Sequence, residues 1–206
     1  MKIVLAGGTG FIGKRLIEKL ASAQHTVVVL TRSPASVNTS PYPHVHIRQW
    51  DGKTVGTWAS EVDGADAVMN FSSEPLDARR WTSVQKERIV NSRVDATRAL
   101  VEAITQAKKK PSVLISASAV GYYGPVEDDE VMESSKRGDG FLAMVCEKWE
   151  QEARNAETVN VRVVILRMGV VVARGGGALE KMRLPFTMFV GGPLGSGKQW
   201  FPWIHR

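Results

Sequence analysis

Cysteine is nearly absent: Cys146 is the only one in 206 residues, so no disulfide can form within the chain and a disulfide-stapled scaffold is excluded. The histidines, His25, His44, His46 and His205, are scattered and have no cysteine partners at zinc-site spacing. No apolar run approaches the roughly 20 residues that a membrane-spanning helix needs, and the opening stretch breaks into Gly7-Gly8 before it could serve as a signal-peptide core. The expectation is a soluble, cytoplasmic chain with no metal and no membrane partner. One further absence bears directly on chemistry: between Lys19 and Trp50 there is no Asp or Glu.

What is present is ordinary for a globular protein, with 43% hydrophobic and 23% charged residues. The length accommodates one full domain and at most a fragment of a second. The net charge of +6 is concentrated between Asp77 and Lys110, where nine Lys or Arg face four Asp or Glu. That segment has the period of one long helix ending in Lys108-Lys109-Lys110, where positive charge complements the helix C-terminus. No aromatic-interleaved basic motif accompanies it, so nucleic acid is not an expected partner.

Short β-branched runs alternate with longer amphipathic stretches, the pattern of a parallel sheet with crossover helices. Strands are expected at Lys2–Ala6, Thr26–Thr31, His44–Trp50, Ala65–Phe71, Ser112–Ser116 and Val161–Leu166. Helices are expected at Phe11–Ser22, about Thr82–Lys108 and Phe141–Glu157. Ser33–Pro43 reads as a loop, and Thr82 with Gln85 has the spacing of a capping box. Beyond Leu166 the pattern dissolves into glycine-rich turns around an apolar piece, Leu179–Val190. The fold class is α/β, a Rossmann-like doubly wound parallel sheet with helices on both faces.

Gly7, Gly8, Gly10 and Gly13 follow the first strand directly and open the first helix. There glycine permits a tight turn and a close approach of backbone to pyrophosphate, while the backbone of Gly10, Phe11, Ile12 and Gly13 supplies helix-start N–H groups. An NAD site usually carries an acid at the end of the second strand to bind the ribose 2′-hydroxyl. Here that strand ends in Thr31-Arg32-Ser33, whose hydroxyls and guanidinium suit a 2′-phosphate. NADP is therefore expected over NAD.

The stretches GGTGFIG, NFSSEP, ISASAVGYYG, KWE, LRMGVV and GSGKQWFPWIH, with RRWTSVQKERIVNSR on the long helix, resemble the extended short-chain dehydrogenase/reductase superfamily from end to end. Within it, the chain is similar to the epimerase-like subfamily labelled nucleoside-diphosphate-sugar epimerase. The resemblance implies that Asn70, Phe71 and Ser72 border the cofactor riboses and that Arg93 can reach the cofactor. Asn70 also reads as a strand-end turn former, and Arg93 as a snorkelling or salt-bridged arginine. Asp51 matches an acid that faces the adenine, or serves the turn at Gly52. Ser116 and Leu166 fall at the nicotinamide end, and Arg167, Gln199 and Trp200 in the substrate region. Arg167 would hold an acidic group or a loop carbonyl.

The superfamily works through a Ser, a Tyr and a Lys four residues after the Tyr. Ser118 matches the Ser, but Leu142 and Cys146 occupy the Tyr and Lys positions and read as part of an apolar stripe with Val145, Trp149 and Ala153. Any proton donor must come from elsewhere, and Tyr122 and Tyr123 are the nearest phenols. The expected organisation is an NADP-binding Rossmann domain over residues 1–167 and a partial substrate-binding region over 168–206, cut short relative to the family. The expected function is an NADP-binding, epimerase-like oxidoreductase of a small polar substrate, with a non-catalytic NADP-binding sensor or scaffold as the alternative. Pairing into a homodimer through the helices containing Val94 and Trp149 is the implied assembly.

Overall fold

The computed structural model describes residues 1–37, 41–193 and 195–206. Six parallel strands, β1 (Lys2–Ala6), β2 (Thr26–Thr31), β3 (Val45–Gln49), β4 (Ala67–Asn70), β5 (Val113–Ala119) and β6 (Arg162–Met168), lie in the order β3-β2-β1-β4-β5-β6. The helices α1 (Phe11–Ser22), α2 (Ser83–Gln106) and α3 (Phe141–Arg154) connect them. Because successive strand residues point to opposite faces, Leu5, Val27 and Val29 pack with Ile17 and Ala21 of α1, while Val4, Ala6, Val28 and Leu30 join Ala96, Leu100 and Ile104 of α2. Burial on both faces is why these strands read as continuous apolar runs. The chain turns from β1 to β2 on one side and reaches β4 on the other, so the direction of strand order reverses between β1 and β4.

Several boundaries differ from the sequence reading. β5 runs three residues past the expected Ser116, and β6 continues to Met168, because the two pair in register through Ser118↔Arg167 and Ala119↔Met168. Ser118 and Arg167 are thus strand residues, not loop residues. α3 ends at Arg154 and tightens into a 3₁₀ turn over Asn155–Val159. Thr82 caps α2 by accepting the Gln85 N–H at 3.2 Å, but the buried Gln85 amide has no partner among the described residues. The capping box is therefore half formed. At the other end Lys110 Nζ donates to the Ala107 carbonyl at 3.0 Å, so the basic turn does complement the helix terminus. Residues 38–40 of the expected loop lie outside the described residues.

No α-helix links β3 to β4; a 3₁₀ turn over Thr57–Glu61 does. This crossover is held by Trp50 and Trp58, whose rings lie 5.2 Å apart and whose indole N–H groups both donate to the Thr54 carbonyl. Past β6 the chain adds elements that periodicity did not show. A small parallel pair joins β7 (Val170–Ala173) to β8 (Trp203–His205), with α4 (Gly177–Thr187) between them in sequence. This region leaves Phe186, Phe189, Val190 and Trp203 exposed. No helix among the described residues is long and apolar enough to cross a membrane.

Candidate functional site

The glycine loop sits where the strand order reverses. Gly7 has φ +80°, and a Cβ there would lie 2.4 Å from the Phe71 carbonyl carbon at the end of β4. A Cβ on Gly13 would lie 2.2 Å from the Gly7 oxygen, so α1 presses directly onto the loop. Gly10, the N-cap, offers no side chain, so no N-cap side chain meets the first N–H groups of α1. Beside the loop opens a cleft of about 860 Å³ lined by Gly7, Thr9, Gly10, Thr31, Arg32, Asp51, Phe71 and Ser72, among others. Its volume lies within the range of small-molecule sites, and its position outside the carboxyl ends of β1 to β4 is where open α/β sheets bind ligands. A dinucleotide fits the residues present: glycine backbone for its pyrophosphate and a strand-end cation for its adenosine half.

At the adenosine end, Arg32 is exposed and makes no ion pair with a described residue, while Thr31 Oγ1 accepts the Ser33 N–H at 3.2 Å. Asp51 accepts from Lys53 N, Thr54 N and Thr54 Oγ1 at 2.9, 2.8 and 2.6 Å, so its carboxylate closes its own turn while lining the cleft. Partial burial pushes its carboxyl up, but the Thr54 and Lys53 hydrogen bonds outweigh this and hold it below the ordinary value.

Asn70 is fully buried. Its Nδ2 donates to Thr97 Oγ1 at 2.9 Å, and its Oδ1 accepts from both N and Oγ of Ser72. It shapes the strand-end turn that presents Phe71 and Ser72 to the cleft. Arg93 makes no salt bridge among the described residues: Nη1 donates to the Glu74 and Ile89 carbonyls, and the guanidinium lies 5.3 Å from the Trp149 ring centre. Burial lowers its pKa from the usual high value.

One strand further along, Ser118, Tyr122, Tyr123 and Arg167 come together around Glu150 of α3. Ser118 Oγ donates to Glu150 Oε1 at 2.6 Å, and Arg167 grips the same carboxylate with Nε at 2.9 Å and Nη2 at 2.8 Å. Arg167 Nη1 donates to Tyr123 Oη and to the Glu133 carbonyl, both at 3.0 Å, and its guanidinium stacks 3.5 Å from the Tyr122 ring centre. Of the two readings of Arg167, an acidic group or a loop carbonyl, both partners are present: the buried Glu150 carboxylate is the main one and the Glu133 carbonyl the lesser. Hydrogen bonding to Glu150 raises its pKa further. Gly138 passes so close to the turn carrying the tyrosines that a Cβ there would sit 1.9 Å from the Tyr123 carbonyl oxygen. In the sequence Glu150 appears only as the acid of the KWE stretch, with no role assigned to it. The available signal was an acid within the apolar stripe of Val145, Cys146, Trp149 and Ala153, since a buried carboxylate demands a partner.

The remaining candidates lie apart. The Phe11 ring packs on Gly176 and Gly177 and under the Arg206 guanidinium at 4.4 Å, so only its backbone faces the loop. Ser116 is fully buried, and Leu166 pairs with Ala117 within the sheet. Gln199 accepts from Ser196 at 3.5 Å, and Trp200 is exposed with its indole donating to Asp128 at 2.8 Å. None of these lines the cleft. Burial raises the Cys146 pKa, as expected of an inert packed thiol. Glu74 and Lys53, which sequence reasoning did not select, do line the cleft.

A reversed-order parallel sheet with a glycine loop and cleft at the reversal defines a dinucleotide-binding Rossmann-type protein. The chain belongs to the NAD dependent epimerase/dehydratase family, whose model matches residues 3–206. It is 41% identical over its whole length to the chloroplastic epimerase family protein SDR39U1 homolog of Arabidopsis thaliana, spanning 59% of that protein. It is 40% identical to an epimerase family protein of Staphylococcus saprophyticus over 98% of this chain and 66% of that protein. Among solved structures, human epimerase family protein SDR39U1 with NADPH superposes with a TM-score of 0.83 at 36% identity, covering all of this chain and 66% of the human one. A nucleoside-diphosphate sugar epimerase from Corynebacterium glutamicum gives 0.80 at 32% identity, covering all of this chain and 41% of that one. The chain thus spans about two thirds or less of the relatives it matches.

Proposed function

We propose that this protein is an NADP-binding, epimerase-like oxidoreductase acting on a small polar substrate in the cytoplasm. The observation that carries this reading is the cleft itself. It combines an uncapped helix start behind Gly7 and Gly10 with a strand end that offers Thr31 and Arg32 where NAD-binding sites place an acid. NADPH in the human relative supports the same choice. Residues 1–167 form the cofactor domain and 168–206 part of a substrate region. Backbone N–H groups of Phe11, Ile12 and Gly13 hold the pyrophosphate, Arg32 the 2′-phosphate, and Phe71, Ser72 and Arg93 the riboses. Ser116 and Leu166 stand nearer the nicotinamide. A bound nicotinamide supplies or accepts a hydride, and the hydroxyls of Ser118, Tyr122 and Tyr123 are the groups available to move a proton beside it. Calorimetric titration tests the cofactor: NADP should bind at least tenfold more tightly than NAD, and Arg32→Ala should erase most of that difference. Tighter NAD binding refutes the choice.

A second reading, a non-catalytic NADP sensor or scaffold, is favoured by one observation. Leu142 and Cys146 replace the superfamily's Tyr and Lys, and the Ser118 and Tyr123 oxygens are engaged with Glu150 and Arg167. Turnover that falls in Tyr122→Phe or Tyr123→Phe, measured once a substrate is in hand, decides for the enzyme.

A further inference from the structure

We propose that Lys53 is a second cation for the 2′-phosphate of the dinucleotide, held opposite Arg32 by the tryptophan-clamped turn that follows β3. The inference rests on the NADP reading above and adds a specificity-determining residue to it. β2 and β3 end side by side: Thr31 pairs with Gln49, and Trp50 N donates to the Thr31 carbonyl at 2.9 Å. The residues that follow each strand, Arg32 and Ser33 on one and Asp51 to Lys53 on the other, therefore line one edge of the same cleft. Neither Arg32 nor Lys53 forms a salt bridge with a described residue, so two cations without an ion-pair partner among those residues line that edge, with the Asp51 carboxylate acting on Lys53 only through space.

The backbone of Lys53 is unusually well fixed for a loop residue. Its N–H donates to Asp51 Oδ1, and the next carbonyl, that of Thr54, receives the indole N–H of both Trp50 and Trp58. Both tryptophans are buried against the sheet, at 4% and 2% exposure. A cation on a preorganised turn loses less entropy on meeting its ligand than one on a free loop. Asp51, two residues before Lys53, spends both carboxylate oxygens on Lys53 N, Thr54 N and Thr54 Oγ1, so it offsets the Lys53 charge through space without forming a salt bridge with it. The other cleft acids, Glu74 after β4 and Glu87 and Asp95 of α2, follow neither β2 nor β3.

The test uses adenosine 2′,5′-bisphosphate and AMP as probes, titrated calorimetrically into the intact protein. Lys53→Met should weaken the bisphosphate by about tenfold and leave AMP unchanged, as expected for loss of one charge-assisted phosphate contact. Lys53→Arg should retain most of the affinity, and Lys19→Met, which removes the same charge from the far end of α1, should change neither probe. If the wild type prefers the bisphosphate but Lys53→Met binds it as tightly, or loses both probes equally, the role of Lys53 is overturned and the NADP reading stands. If the wild type does not prefer the bisphosphate over AMP, the NADP reading itself falls.

Discussion

Removing the Glu150 carboxylate should be among the most damaging single changes in this chain. Its side chain is 5% exposed and that of Arg167 14%, so the ion pair is largely shielded from water. Glu150→Leu deletes three hydrogen bonds to a charged acceptor, two from Arg167 and one from Ser118. Arg167 keeps Tyr123, Glu133 and the Tyr122 ring, but no anion remains to balance it. Breaking a buried pair on one side costs about 3–5 kcal/mol, and the limited access of water to Arg167 puts the expectation near the lower end, about 3 kcal/mol. Arg167→Met strands the carboxylate instead and should cost a similar amount. In the double variant no charge is left unpaired, so the loss should be smaller than the sum by about 2 kcal/mol. Urea denaturation of the wild type, both single variants and the double variant measures all four corners of this cycle. Single losses under about 1 kcal/mol, or strict additivity, would show that solvent rather than Glu150 satisfies Arg167.

Other consequences are equally direct. Gly7→Ala should cost about 2 kcal/mol or more and abolish dinucleotide binding, because it combines a left-handed φ with a Cβ 2.4 Å from Phe71; thermal melts and calorimetry read both effects. Thr82→Ala should cost about 1 kcal/mol through loss of the α2 cap, measured by chemical denaturation, whereas Gln85→Leu should be neutral or stabilising because the amide has no partner to lose. The turn at Asp51 should depend on pH. With its carboxyl held below the ordinary value, the hydrogen bonds are present at neutral pH and are lost as pH falls through the lowered value. The Lys53 and Thr54 amide resonances should move with that transition and cease to do so in Asp51→Asn.

The layout of the sheet was legible because its signals are local. Continuous β-branched apolar runs mark β1, β2 and most of the other strands, and the strand-loop-helix context marks the glycines. The absence of an acid after β2 is likewise a one-dimensional fact with a chemical meaning. Strand ends were less legible: β5 and β6 extend because each supplies the other's hydrogen bonds, a mutual condition that neither segment displays alone. Capping spacing at Thr82 was correct for the backbone bond but not for the Gln85 side chain, whose direction depends on how α2 packs. The Glu150 cluster was hidden for a related reason. Its members come from β5, the following turn, α3 and β6, separated by up to 49 residues in sequence and assembled only when β6 docks beside β5.

The sequence by itself thus determined the α/β class, the glycine loop between β1 and α1 and the cationic end of β2, each a property of neighbouring residues and of period. Tertiary structure alone decided that Asn70 shapes a turn, that Arg167 answers to Glu150, and that Lys53 shares a cleft edge with Arg32. Those relations depend on which side chains meet across the sheet. A buried charge or a strand-end cation acquires its role from the partner the fold brings to it.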